Sequence, residues 1–117
     1  MVTPININKK EIDWITIFYL AWAIDESNAD LAFKNIFDSF LWKNLIFDIW
    51  WLTYWNSKFM WYLNKVNDYV WEKEGQFYLA NLVDPLSDYL EAVWILLVIP
   101  NTKTVEEAIL EIKKAWA

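Results

Sequence analysis

The chain has 117 residues, is 57% hydrophobic, carries ten tryptophans and a net charge of −6, and contains no histidine, cysteine or arginine. These absences exclude disulfides, thiolate nucleophiles, and imidazole or thiolate metal sites. An acidic chain with scattered lysines also lacks the cationic patch that nucleic acid requires.

One domain over residues 1–117 is expected at this length. A core this small cannot hide so much apolar surface. The excess should meet a second copy, a protein partner, an apolar ligand or a membrane surface. The single glycine and three prolines point to few turns and long helices.

In chain order, Val2–Asn8 reads as a short extended arm, with Ile5 and Ile7 alternating after Pro4. Asn8 and Glu11 form a capping-box pattern, which predicts a helix from Lys9 to Asp25. The same stretch imitates a secretory signal, with Lys9-Lys10, an apolar run from Trp14 to Leu20, and Ala21-Trp22-Ala23. Glu11 and Asp13 interrupt that pattern and favour the helix. Ser27 and Asp30 mark a second helix start.

From Ala29 onward Phe33, Ile36, Phe37, Phe40 and Leu41 keep a helical period, and no strong breaker appears before Gly75. In one register Leu45, Leu52, Trp55, Phe59, Leu63, Val66 and Val70 would form a stripe, with Trp50 and Trp61 facing away from it. A helix of about 45 residues is too long for this domain. A break is therefore expected at Trp42–Asn44 or at Asn56-Ser57, giving a long helical hairpin that ends at a left-handed Gly75.

Asp84-Pro85 predicts the next helix start, and that helix should run to Pro100. A buried strand at Val93–Ile99 is the competing reading. Thr104 and Glu107 begin a last helix with Val105, Ala108, Ile109, Ile112 and Trp116 on one face. The expected fold class is all-α, a compact bundle of about five helices. The alternative is α+β with short strands at 2–7 and 93–99.

Little chemistry is legible. The acidic turn Asp25–Asp30 lacks the glycine and bidentate glutamate of a calcium loop. Ser27, Ser39, Ser57 and Ser87 have no histidine base. Asp48 lies in an apolar run with Asn44 four residues before it, so on a helix the two would form the polar end of a pocket. Trp50, Trp61 and Tyr54 are the candidate interface, the other tryptophans being expected mostly to fill the core. No catalytic residue, cofactor or metal ligand is expected.

No apolar run approaches the roughly 18 residues of a membrane helix, and a soluble, cytoplasmic chain is expected. The composition resembles that of computationally designed helical proteins. A de novo helical scaffold or protein-interaction domain is the expected function, possible homo-oligomers included. The alternatives are a viral or mobile-element interaction protein, or a binder of an apolar ligand or membrane surface.

Overall fold

A computed structural model describes residues 2–40, 43–84 and 86–115. Its elements run β1 (Ile5–Ile12), β2 (Ile15–Ala23), α1 (Ala29–Ser39), β3 (Asn44–Tyr54), α2 (Ser57–Glu72), β4 (Phe77–Ala80), α3 (Leu86–Ala92), a 3-10 turn (Ile95–Leu97), β5 (Asn101–Thr102) and α4 (Val105–Lys114). The expected all-α bundle with a central helical hairpin is thus overturned. The fold is α/β, with one five-stranded sheet in the order β1-β2-β3-β4-β5.

The expected helix from Lys9 to Asp25 is a hairpin. Ile12 lies opposite Ile15 and Ile5 opposite Trp22, which leaves Asp13-Trp14 as a two-residue turn with φ of 49° and 68°. That is the primed-turn geometry usually supplied by Asn-Gly. Glu11, read as half of a capping box, instead accepts the Thr16 hydroxyl across the hairpin at 2.9 Å. The run from Ile15 to Leu20 is apolar on both sides because a central strand is covered on both faces. Phe18 and Leu20 enter one core cluster, whereas Ile15 and Ile17 enter the other.

The second correction concerns the stretch read as a helical hairpin. Asn44 and Asn56-Ser57 are both element boundaries, although Leu41 and Trp42 lie outside the described residues. Between them stands a strand, β3. It runs parallel to β2, from Ile15–Asn44 to Ala23–Tyr54, and parallel to β4, from Leu45–Phe77 to Asp48–Ala80.

Consecutive strands β2 to β5 are spatial neighbours, so crossovers of one hand place α1, α2 and α3 on the same side. There Phe18, Phe47, Ile49 and Phe77 meet Phe33 and Ile36 of α1, Phe59 and Leu63 of α2, and Leu86 and Leu90 of α3. Phe47 is the hub, with ring centroids 6.0, 6.2 and 5.0 Å from Phe18, Phe33 and Phe77. The other face carries a smaller cluster in which Ile15, Ile17, Ile46 and Ala80 meet Val105, Ala108 and Ile112 of α4.

The start of α1 lacks the cap expected at Ser27 and Asp30, its N-cap Asn28 making no side-chain cap bond; the other described helix ends follow local rules with two exceptions. Asn56 caps α2 by accepting from the Lys58 and Phe59 amides at 3.1 and 3.3 Å, and Thr104 caps α4 at the Glu107 amide at 3.1 Å. At the end of α2 the left-handed residue is Glu74, φ 60°, not Gly75. The Glu74 and Gly75 amides bond back to Trp71 and Val70 as a Schellman motif requires. Gly75 is needed for a different reason: a Cβ there would lie 1.8 Å from the Lys43 carbonyl oxygen. The second exception is α3. It ends at Ala92 rather than Pro100, Trp94 is left-handed, and neither a strand nor an α-helix forms over 93–99. Pro85 and Trp116, assigned to helices from sequence, lie outside the described residues.

Among the described residues the tryptophans do not fill the core. Trp14, Trp22, Trp50, Trp51, Trp61, Trp71 and Trp94 are exposed and Trp55 is half-buried against the larger cluster. Phenylalanine, isoleucine and leucine fill both clusters instead.

Candidate functional site

In parallel α/β sheets the loops at the carboxyl ends of the strands carry most binding sites, because helix N-termini and short turns converge there. Here those loops join β2 to α1 and β3 to α2. The first is held by Asn28, 2% exposed. Its side chain accepts from the Asp25 amide at 2.9 Å and donates to the Thr3 and Ala23 carbonyls at 2.9 and 2.8 Å. Asp25 gathers the Thr3 and Ser27 hydroxyls, which hold its carboxyl below the usual carboxylate range.

Across the gap, the start of α2 reaches the start of α1. The Lys58 ammonium lies 2.9 Å from Asp30 and 3.8 Å from Glu26, the Tyr62 hydroxyl donates to Asp30, and the Asn56 amide donates to Glu26 at 3.3 Å. Asp30 is accordingly pushed down, first by the Tyr62 bond and then by Lys58. Lys58 and Tyr62 are both pushed up by Asp30. All of these ionised groups meet solvent, so the network orients the helix ends more than it stabilises them.

This network frames Trp61. Tyr62 stacks flat on Phe33, with centroids 4.4 Å apart, and meets Trp61 edge-on at 4.9 Å. Lys65 places its ammonium 5.0 Å above the Trp61 ring. Two shallow depressions adjoin the pair. One of about 560 Å³ is bounded by Glu26, Asp30, Ser57 and Lys58; one of about 400 Å³ runs between the helices past Phe37, Lys65 and Tyr69. An exposed indole on a stacked base, ringed by charges of both signs, suits recognition of a protein segment. Among the described residues no group of histidine, cysteine, aspartate or glutamate side chains is placed to hold a metal, and no described helix is long and apolar enough to cross a membrane.

The residues singled out from sequence fall in three places. Trp61 stands at the centre of this surface, 53% exposed. Trp50 and Tyr54 are equally exposed but belong to β3, where the Tyr54 carbonyl accepts from the Ile24 amide at 3.0 Å. Asn44 and Asp48 do not share a pocket. Four residues of strand separate them by roughly 13 Å, where a helix would have stacked them. Asn44 is buried and accepts from the Gln76 amide at 3.0 Å. Asp48 accepts from the Trp50 amide and the Asn81 side chain at 3.0 and 3.1 Å, which ends the β3–β4 pairing.

Lys58 and Tyr62 were not recognised from sequence. Their partners lie about thirty residues away, beyond any local pattern. The legible signal was Asn56-Ser57, an N-cap pair at the end of an apolar run.

No family model matches the chain, and no curated protein matches it. Solved structures do. A Thermotoga maritima protein assigned as an anti-sigma factor antagonist superposes with a TM-score of 0.85 at 16% identity, covering 92% of this chain and 94% of that one. An anti-sigma factor antagonist from Mycobacterium paratuberculosis gives 0.76 at 15% identity, covering 97% and 99%. The anti-sigma factor antagonist SpoIIAA in its unphosphorylated form gives 0.77 at 13%, covering 93% and 97%. The fold is therefore that of these proteins over nearly the whole chain. This likeness overturns the expectation of a de novo designed helical scaffold, since the architecture is one used by natural regulatory proteins.

Proposed function

We propose that this chain is a regulatory binding protein, not an enzyme, and that it docks an anti-sigma factor or a similar protein on the α1–α2 surface centred on Trp61. The observation that carries the reading is the Asp30–Lys58–Tyr62 network. It locks the two helix starts together and presents an exposed indole on a preformed base, so little ordering cost remains for binding. The shared fold supports the partner class, and the lack of histidine and cysteine supports binding over catalysis.

Ser57 gives this surface a means of control. It is the first residue of α2, it is exposed, and among the described residues nothing bonds its hydroxyl. A phosphate there would gain from the helix N-terminus while adding nearly two negative charges beside Glu26 and Asp30. Lys58 would be drawn from Asp30 to the phosphate, and the framing of Trp61 would change.

The test is calorimetric titration of purified anti-sigma factors with the wild type, Trp61→Ala, Lys58→Glu and Ser57→Asp. Binding to at least one is expected, weakened about tenfold or more by Trp61→Ala with circular dichroism unchanged. Binding that ignores all three variants would remove this surface, and binding to none would remove the partner class.

A further inference from the structure

The sheet face away from α1–α3 holds a second exposed aromatic group, which the surface around Trp61 does not use. Along the end of β3, Ile49 and Leu52 are buried in the α1–α3 cluster and Trp55 packs on its margin. Between them the pairs Trp50-Trp51 and Thr53-Tyr54 are all exposed. Regular strand alternation would send one residue of each pair inward. Register shifts opposite Tyr19–Ala21 and Trp22–Ala23 insert the extra residues, and a β-bulge of this kind turns two neighbours to the same side.

Beside them on β2 stands Trp22, whose register partners Ile5 and Leu52 pack on the α1–α3 cluster; its φ of 80° is a left-handed backbone that costs a non-glycine residue about 1–2 kcal/mol. Its carbonyl accepts the Thr53 hydroxyl at 2.8 Å, which ties the two strand ends together. Trp22, Trp50, Trp51 and Tyr54 are 52, 50, 68 and 53% exposed.

Parallel strands are ordinarily covered by helices on both faces. Here α4 covers Ile15, Ile17, Ile46 and Ala80 and stops short of the aromatic group. At the boundary stand Asp48 and Glu106, whose charges together with burial push the Tyr19 hydroxyl up. The lysines of this face lie at its margins: Lys10 opposite Ile17, Lys103 just past β5 on the far side of β4, and Lys113 and Lys114 at the far end of α4, paired with Asp13 and Glu111.

We infer that this bare half-face is a second docking surface, whose occupant is a cationic amphipathic helix of a partner protein lying beside α4 and completing its layer. Apolar side chains of that helix would cover Trp50, Trp51 and Tyr54, and its lysines or arginines would meet Asp48 and Glu106. Area and charge both argue against a second copy of this chain. Trp50, Trp51 and Tyr54 leave roughly 300–400 Å² open, at most about half of what one protomer of a stable dimer contributes. A second copy would also bring its own net −6 and oppose carboxylate to carboxylate.

The experiment uses 15N-labelled full-length protein and a leucine–lysine helical peptide of about four turns, with a leucine–glutamate twin as control. The leucine–lysine peptide should shift the indole N–H resonances of Trp50 and Trp51 and leave those of Trp61 and Trp71 in place. Its affinity should fall about tenfold or more in Trp51→Lys and about threefold in Glu106→Gln, and stay unchanged in Glu72→Gln on the opposite side. If Trp51→Lys does not fold, Trp50→Ser serves the same purpose.

Four outcomes would overturn the inference. They are indole shifts that include Trp61, equal binding of the glutamate peptide, a concentration-dependent dimer that Trp51→Lys abolishes, and the same indoles shifted by phosphatidylcholine vesicles.

Discussion

The two faces of the sheet share the same strands and end differently. Under α1–α3 the packing is continuous, from Phe77 through Phe47 and Phe18 to Ile24. Under α4 it covers the amino-terminal half of β2 and β3 and then gives way to exposed Trp50 and Trp51. The aromatic residues of this chain are therefore two populations. Phenylalanine, which carries no polar atom, fills the enclosed face. Tryptophan, which has an N–H to satisfy, stands where water or a partner can reach it.

Core deletions should separate the faces most. Phe47→Ala removes a ring that touches three others and should cost about 3–5 kcal/mol in chemical denaturation. Ile112→Ala, in the smaller cluster beside solvent, should cost about 2 kcal/mol. Equal losses would mean that α4 carries as much of the fold as the three helices opposite.

A smaller effect of opposite sign tests the strained edge of the exposed group. Trp22→Gly relieves the left-handed backbone and should stabilise the domain by up to about 1 kcal/mol. A loss of stability would mean that Trp22 packs more than its exposure implies.

The smallest effect is the pH dependence of the α1–α2 surface. Asp25 and Asp30 have carboxyls lowered from 3.8, so their contribution is complete above that value and is lost as pH falls through the lowered folded value. Lys58 and Tyr62 are raised from 10.5 and 10.0. Their contribution is complete below those values and is lost as pH rises through the folded ones. Asp30→Asn should therefore flatten both limbs of a stability–pH curve measured by urea unfolding. An unchanged alkaline limb would separate Lys58 and Tyr62 from Asp30.

Much of the helical half was readable from residues alone. Phe59, Leu63, Val66 and Val70 do line the buried side of α2, and Val105, Ala108 and Ile112 that of α4. The cap at Thr104 lies where the pattern put it, and Asn56-Ser57, expected only as a possible break, is a helix start capped by Asn56. Trp61 does fall exposed opposite a true helical stripe, whereas Trp50 was placed by a helical period in a segment that is strand. Asn44 and Asp48 failed as a pair for that same reason.

By itself the sequence determined the amphipathic faces of α2 and α4, the cap of α4, and a chemistry restricted to apolar and carboxylate–lysine contacts. These depend on neighbours within a turn of one another and on residue types that are simply absent. Only the tertiary structure decided that 15–23 and 44–54 are strands. A run apolar on both sides suits a buried helix or a central strand equally well. The choice rests on whether distant segments offer backbone partners along its edges, which β1 and β4 do here.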